Sequence, residues 1–520
     1  MSVSNERTIS LWMNTEVAPD APALRRDERA DVVVVGSGIA GLSTAYELSR
    51  GGKDVVVVDR GPIARGMTSR TTAHLVAISD DSFDSFIKLR GLDLAKTYFQ
   101  SQSAAVDRIE QIQSGEGIAC NFRRLDGFLF PAIGSDPAEL DPELDAARRI
   151  GVAVEDDQGV PFKGQEKVRC LRYRNQGTFH PLRYLRGLAC AITAAKGRLY
   201  AHSIVEAMEE DGDEVTVRTS DGQSIRAKAA VIATNSPIND RVAIQTKQAP
   251  YRTYAMAFTI PRGAMLDGLY WDTLDPYHYV RLQPGPGNTD YLIVGGADHK
   301  TGEADDAWVR FEALESWIRG LVPQIGRETH RWSGQILDPV DYSGFIGRNP
   351  GSKNVYVATG DSGQGITHGV VASLLISDLI TKGESPWQEL YEPSRKTLAA
   401  VQNFISENAT AIKNFAEYVA PGEVGSAEEL KPGQGAIIRE GLSKIAAYRD
   451  ENGLLHRHSA ACTHVGCHVH WNSLEVCWDC PCHGSHFAVD GTALNAPAIS
   501  ALAPAPPPKP QAKTEASAHA

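Results

Sequence analysis

The stretch ADVVVVGSGIAGLSTAYELSRGGKDVVVVDR, residues 30–60, decides what the first half of the chain must be. Val32–Val35 form an unbroken apolar run, which predicts a strand covered on both faces. Gly36, Gly38 and Gly41 follow with G-x-G-x-x-G spacing. The first allows a tight turn, the second lets backbone approach a pyrophosphate, and the third lets helix and strand pack closely. A helix beginning near Ile39 and Ala40 points its positive end at the phosphates. A second apolar run, Val55–Val58, ends at Asp59, where an acid can bind a ribose and repel a 2′-phosphate. FAD or NAD is therefore expected over NADP, although the neighbouring Arg60 softens that preference.

Two further segments extend the cradle. Residues 66–74, GMTSRTTAH, place Thr68, Thr71 and Thr72 where hydroxyls can meet phosphate oxygens. Residues 355–369, VYVATGDSGQGITHG, run from a strand through Gly360, Gly363 and Gly365 into a helix carrying Ile366 and Thr367. The spacing G-x-x-G-x-G is not a second nucleotide fingerprint but suits backbone amides facing a flavin ring. With AAVIATNSP at 229–237, which contains Thr234, these segments resemble the D-amino acid oxidase/sarcosine oxidase superfamily of FAD-dependent oxidoreductases over about 31–385. The resemblance implies FAD, held by these four segments. It leaves covalent attachment of the flavin open, with His74 the residue available for it.

Near the other end stand Cys462-Thr-His464-Val-Gly-Cys467 and Cys480-Pro-Cys482-His483-Gly-Ser485. Of the eight cysteines, five fall between 462 and 482, a clustering that favours a metal site over a scattered disulfide framework. Zinc and an iron–sulfur cluster are both open on residue type, but each box carries one cysteine more than zinc requires. The pattern resembles the Rieske [2Fe–2S] domain over about 434–505. That resemblance implies Cys462, His464, Cys480 and His483 as ligands, with two cysteines on one iron and two histidines on the other. It also implies a Cys467–Cys482 disulfide between the two loops. Cys477 and His486 match no ligand position, and His468 and His470 are expected on an alternating strand with one exposed face. Quinol-oxidising Rieske proteins have tyrosine where this chain has Phe487, so one hydrogen-bond donor to the cluster is missing and Ser485 remains. A potential below the top of the range of about −150 to +300 mV is expected.

The remaining sequence sets the frame. A chain of 520 residues is too long for one core, and its net charge of −12 argues against nucleic-acid or anionic-membrane partners. No apolar run reaches transmembrane length and the N-terminus lacks the apolar core of a signal peptide, so a cytoplasmic protein is expected. The expected fold is α/β plus all-β: a Rossmann-like FAD-binding domain with an antiparallel-sheet substrate domain, then a small β Rieske domain. The divisions are an arm at 1–30, an oxidoreductase domain at 31–385, a connecting helix and linker at 386–433, the Rieske domain at 434–505 and a disordered tail at 506–520. Within the second, 31–80, 165–240 and 335–385 are assigned to FAD, and 81–164 and 241–334 to substrate.

Candidate substrate residues lie in LYWDTLDPYHYVRL, 269–282. Alternation puts Tyr279 and Arg281 on one face, suited to a substrate carboxylate, and His278, Val280 and Leu282 on the other. His278, His299, His368 and Tyr342 are further acid/base candidates. A flavin takes two electrons and a [2Fe–2S] cluster one, so the expected activity is oxidation of a small amine or amino acid, with electrons passed singly to the cluster and on to an outside protein. The opposite direction is equally allowed by the sequence, and a non-catalytic flavin/iron–sulfur electron-transfer protein is the alternative reading. A Rieske oxygenase is disfavoured: Asp275-x-x-His278 begins a facial triad, but Gln283 stands where its second histidine would be.

Overall fold

In a computed structural model, residues 6–239, 244–396 and 421–505 are described. The expected connecting helix at 398–420 and the tail at 506–520 lie outside them. Strand Glu28–Val35 lies between Ser224–Ile232 and Val55–Val58, parallel to both, and Arg198–Tyr200 and Val355–Thr359 extend the sheet on either side. Phe345–Arg348 closes one edge antiparallel, and the hairpin of Val205–Asp211 and Glu214–Thr219 attaches to Ser224–Ile232, giving eight strands. Val32–Val35 and Val55–Val58 are buried, as two-sided coverage requires. Helices Ile39–Arg50 and Gly365–Lys382 pack together over this sheet, and a Cβ on Gly369 would press on Ile39 and Ala40.

A nine-stranded sheet forms the second layer, antiparallel except where Leu269–Asp272 runs beside Arg123–Phe130. Helix Ala307–Leu321 covers one face through Phe311, Leu314 and Ile318, which join Tyr254, Met256, Phe258 and Tyr270 in one core. The stretch 165–240, expected to belong wholly to the FAD part, divides. Arg169–Thr178 pairs with Arg123–Phe130 in the second sheet. The reason is its alternation: Leu171 and Tyr173 are buried, while Arg172 and Arg174 reach across strands to Asp126 and Glu155. Helix Pro181–Ala194 and the strands after it belong to the first layer.

The arm is irregular but not loose. Ser10, Trp12 and Leu24 are buried, and the Trp12 indole donates to Thr71 O at 2.6 Å. The C-terminal unit has two small sheets, Gly435–Glu440/Ser443–Arg449/Leu455–Ser459 and His470–Asn472/Cys477–Asp479/His486–Phe487/Ala493–Asn495. Residues 421–433, expected as linker, pack onto it instead: Ala427 and Leu430 are buried, and Arg449 donates to both of their carbonyls. No described helix is long and apolar enough to cross a membrane.

Candidate active site and cluster loops

A cavity of about 600 Å³ opens where the two layers meet. Gly36 has φ +100°, and a Cβ there would overlap the Ala233 carbonyl. A Cβ on Gly41 would overlap the Gly36 carbonyl, so this glycine acts by close packing and does not line the cavity. Gly38, Ile39, Ala40, Asp59, Arg60, Thr68, Thr71, Thr72, Thr234, Gly360, Gly363, Gly365 and Ile366 all line it. Thr367 does not: it follows the first helical turn and donates back to Gln364 O at 3.2 Å. Asp59 accepts from Ser37 N at 2.8 Å and Gly61 N at 2.9 Å. Burial pushes its carboxyl up while these bonds pull it down. The Thr68 hydroxyl accepts from Ile39 N at 3.0 Å, tying the 66–74 loop to the start of the first helix. This glycine cradle, open for close backbone approach, with an acid at the strand end and a helix starting on each side, fits the adenosine, pyrophosphate and flavin parts of FAD.

The substrate candidates separate. Tyr279 lines the cavity, edge-on to His74 at 5.3 Å and with its hydroxyl 3.1 Å from Thr253 Oγ1. Arg281 does not line it. It is fully buried under Trp12, donates to Ala73 O at 2.7 Å and Phe179 O at 3.4 Å, and bonds Gln283. Both its terminal nitrogens are engaged by the scaffold, and it does not reach the cavity, so it is not the carboxylate anchor the alternation suggested. His278 also lies outside the lining: its Nδ1 is 2.8 Å from Asp272 Oδ2 and its ring stacks on Trp317 at 4.2 Å. His299 pairs with the Tyr254 hydroxyl at 2.9 Å away from the cavity, and Tyr342 lies outside it too. His368 does line it. Sequence reasoning missed Asp80, Asp81, Asp298 and Asp361, which line the same cavity beside Tyr277 and Tyr279. The doublet Asp80-Asp81, directly after the hydroxyl-rich loop, was the one available signal.

The two cysteine–histidine boxes form matched loops. Cys462 N donates to Cys467 O and Gly466 N to Cys462 O; Cys480 N donates to Ser485 O and Gly484 N to Cys480 O. The Cys462 and Cys480 sulfurs are in hydrogen-bond contact, and the His464 and His483 rings stand edge-on with centroids 5.0 Å apart. The donors thus form a sulfur pair and an imidazole pair, which suits two irons in one cluster. Cys467 and Cys482 are joined in a disulfide, S–S 2.04 Å. The Ser485 hydroxyl lies beside Cys462, helping to hold that thiol's pKa down, and accepts from Ala498 N at 3.0 Å. Phe487 is buried at the position lacking a donor. His468 is buried and bridges back to Ala461, and half-buried His470 lies 3.4 Å from Glu423, so the expected exposed strand face is absent at these two positions.

The least expected feature lies between the two sites. His486 is fully buried, lines the cavity, and sits three residues beyond His483. Its Nδ1 meets Glu6 Oε1 at 2.8 Å and its Nε2 meets Gln335 Nε2 at 3.0 Å and Arg252 Nη2 at 3.3 Å. Arg252 also pairs with Asp479 at 3.0 Å, and Arg70 with Glu6 at 2.8 Å and Glu475 at 3.1 Å. Against burial, which raises it, Arg70 and Arg252 hold the Glu6 carboxyl well below the usual carboxylate range. Leu494, Asn495, Ala496 and Ile499 of the C-terminal unit line the same cavity.

A dinucleotide cradle whose chamber is partly walled by an iron–sulfur unit defines a flavoprotein oxidoreductase with a built-in one-electron centre. The chain belongs to the FAD-dependent oxidoreductase (DAO) family, whose profile matches residues 31–379, and the Rieske [2Fe-2S] domain profile matches 420–506. Its cofactors are accordingly FAD and a Rieske-type [2Fe–2S] cluster. The putative Rieske 2Fe-2S iron-sulfur protein YhfW of Bacillus subtilis is 31% identical, the match covering 96% of this chain and 98% of that one. Gamma-glutamylputrescine oxidoreductase of Escherichia coli is 28% identical over 67% of this chain and 83% of its own. Glycine oxidase from Geobacillus kaustophilus shares the fold, with TM-score 0.59 at 20% identity over 71% of this chain and 99% of its own.

Proposed function

We propose that the protein oxidises a small amine or amino acid at FAD and delivers the electrons one at a time to its own cluster, which passes them to an outside one-electron acceptor protein. Bound FAD supplies a two-electron acceptor for hydride from a C–H beside nitrogen, and the cluster supplies a one-electron carrier. Gly36, Gly38, Asp59, Thr68 and the 360–366 turn would hold the flavin nucleotide. Cys462, His464, Cys480 and His483 would hold the cluster, with the Cys467–Cys482 disulfide fixing the two loops. Tyr279 and His74 wall the chamber, and the Trp271 side chain helps exclude water from it.

The observation that carries this reading is the shared wall: His486 and residues 494–499 of the cluster unit line the chamber of the flavin cradle. The test is anaerobic mixing of the loaded protein with panels of amines, amino acids and hydroxy acids. Flavin bleaching followed by the rhombic low-temperature EPR signal of a reduced Rieske cluster is the expected result. Bleaching with no later EPR signal would remove the coupling, and no bleaching by any compound would favour the relay.

A further inference from the structure

We propose that the chamber selects a substrate by its positive charge: an ammonium group drawn in by the acidic lining that Asp80, Asp81, Asp298 and Asp361 supply, in a substrate with no carboxylate next to the reacting nitrogen. This rests on the reading that oxidation occurs in this chamber, and it narrows "amine or amino acid" to amine.

Asp80 Oδ1 accepts from the Tyr277 hydroxyl at 2.6 Å, and its other oxygen lies against the Gly363 turn of the cradle. Asp81 accepts from Ser362 at 3.0 Å, and Asp361 from Leu337 N at 2.7 Å. Asp298 Oδ1 is buried with no hydrogen-bond partner. Among the described residues no Lys or Arg forms an ion pair with any of the four. A second observation points to a hydrogen-bond-donating ligand. His368, 4% exposed, lines the same cavity, and neither of its ring nitrogens has a partner. Burial holds its pKa down at about 4, so the imidazole is neutral and offers a lone pair to an N–H donor.

Carboxylates in one enclosed space cannot all ionise without a cation. Burial, with neighbouring acids adding to it, pushes Asp80 well above its usual value and Asp81 to about 7. Burial also pushes Asp298 and Asp361 each to about 6. An ammonium among them removes that penalty, whereas a carboxylate adds to it. The guanidinium groups lining the cavity are engaged elsewhere: Arg60 beside Asp59, Arg65 on Met13 O at 2.7 Å, and Arg70 in the network with Glu6 and Glu475. Tyr277, Tyr279 and Trp271 add aromatic faces, which attract cations.

The test titrates protein carrying both cofactors with n-butylamine, n-butanol and butyrate, reading perturbation of the visible flavin spectrum. Butylamine is expected to bind at least about tenfold more tightly than butanol, and butyrate more weakly than either. Asp81→Asn and Asp298→Asn, near-isosteric changes, should each weaken butylamine about tenfold and leave butanol unchanged, with FAD and iron contents equal to the parent. Butyrate binding as tightly as butylamine, or butylamine affinity unchanged in both variants, overturns the proposal; should a variant lose FAD, the three-ligand comparison on the parent protein decides alone. Amines that bind tightly yet never bleach the flavin would leave the cation site standing and defeat the oxidation reading. Bleaching by amino acids at rates indifferent to both substitutions would do the reverse.

Discussion

Replacing Arg252 by Met tests whether the two cofactor units are locked together. Arg252 is 1% exposed and sits on strand Gln248–Pro261, second from one edge of the second sheet. Its guanidinium donates to both Asp479 oxygens at 3.0 and 3.1 Å and to Ser333 Oγ at 2.8 Å, and stands 3.5 Å from Glu6. Methionine fills similar volume but strands the Asp479 carboxylate, which keeps Asn472 at 2.8 Å, the Cys477 thiol at 3.4 Å and the more distant His486 at 3.7 Å. Removing one partner of a buried pair costs ~3–5 kcal/mol. Glu6 retains Arg70 and His486, so the lower end applies, about 3 kcal/mol, or roughly two powers of ten in the docking equilibrium. Because Asp479 belongs to the cluster unit and Arg252 to the flavin unit, the loss falls on their docking and spares each core. The expected result in urea is an early transition in the fluorescence of Trp471 and Trp478, separated from loss of bound FAD. In stopped flow, cluster reduction after flavin reduction slows while flavin reduction keeps its rate. Arg252→Lys should fall between, since one ammonium nitrogen cannot serve both Asp479 and Ser333 as the two guanidinium nitrogens do. One coincident transition at the parent midpoint, with unchanged cluster reduction, refutes the clamp.

Gly36→Ala should abolish FAD retention, because alanine is strained at φ +100° and its methyl would overlap the Ala233 carbonyl; absorbance of the purified protein at flavin wavelengths checks it. Ser485→Ala removes the hydroxyl beside Cys462 and should lower the cluster potential, itself expected below the top of the range of about −150 to +300 mV, as redox titration followed by EPR would read. Arg281→Met should leave amine KM unchanged while costing ~1–3 kcal/mol of stability from the unpaired Ala73, Phe179 and Gln283 oxygens, measured by thermal unfolding. Amine affinity should rise as pH climbs through about 6 to 7, where Asp298, Asp361 and Asp81 ionise among Asp80, Asp275, Arg310, His278 and Tyr277; their folded values exceed the unfolded ones, so their contribution to substrate-free stability falls as pH rises from the ordinary carboxylate range up to those values. Glu6 acts oppositely, its folded value being depressed: its contribution is present above the ordinary carboxylate range and is lost as pH falls through it, which acid unfolding of Glu6→Gln would expose.

The cradle was legible because its demands are local. A glycine at positive φ, a strand buried on both faces and an acid at the next strand end occur within thirty-one residues, and each is a constraint on residue type. The cluster loops were legible for the same reason: each box supplies one sulfur and one imidazole from a single turn. Alternation in YHYVRL also sorted faces correctly, since Tyr279 and Arg281 both turn toward His74 and Ala73 while Val280 and Leu282 enter the opposite core. What it could not disclose is the cover. Trp12 from the arm lies over Arg281, and nothing in the periodicity of a strand reports a residue 269 positions away. The interdomain network was hidden likewise. Glu6, Arg70, Arg252, Glu475, Asp479 and His486 are ordinary surface residue types, and only long-range folding brings them together, away from water.

The contact between the units bears on how electrons would cross. The second cluster loop faces inward: Pro481 packs over Gly302, where a Cβ would come within 3.2 Å of its ring, and Gly484 O accepts from Gln335 Nε2 at 2.9 Å. Asn495 donates to the same Gln335 at 2.7 Å, so one glutamine of the flavin unit holds both that loop and the chamber wall. The first loop faces outward, with Thr463 exposed and tied by its hydroxyl to Ser500 O at 2.7 Å. A cluster held between an inward and an outward loop needs no swinging domain to pass an electron from chamber to surface. Under the proposed function, each electron would clear the cluster by this route before the next arrives. Apolar packing alone would join the units as firmly, but the paired charges also fix their register, since Arg70 meets Glu475 and Arg252 meets Asp479 and His486 only when the cluster unit is seated.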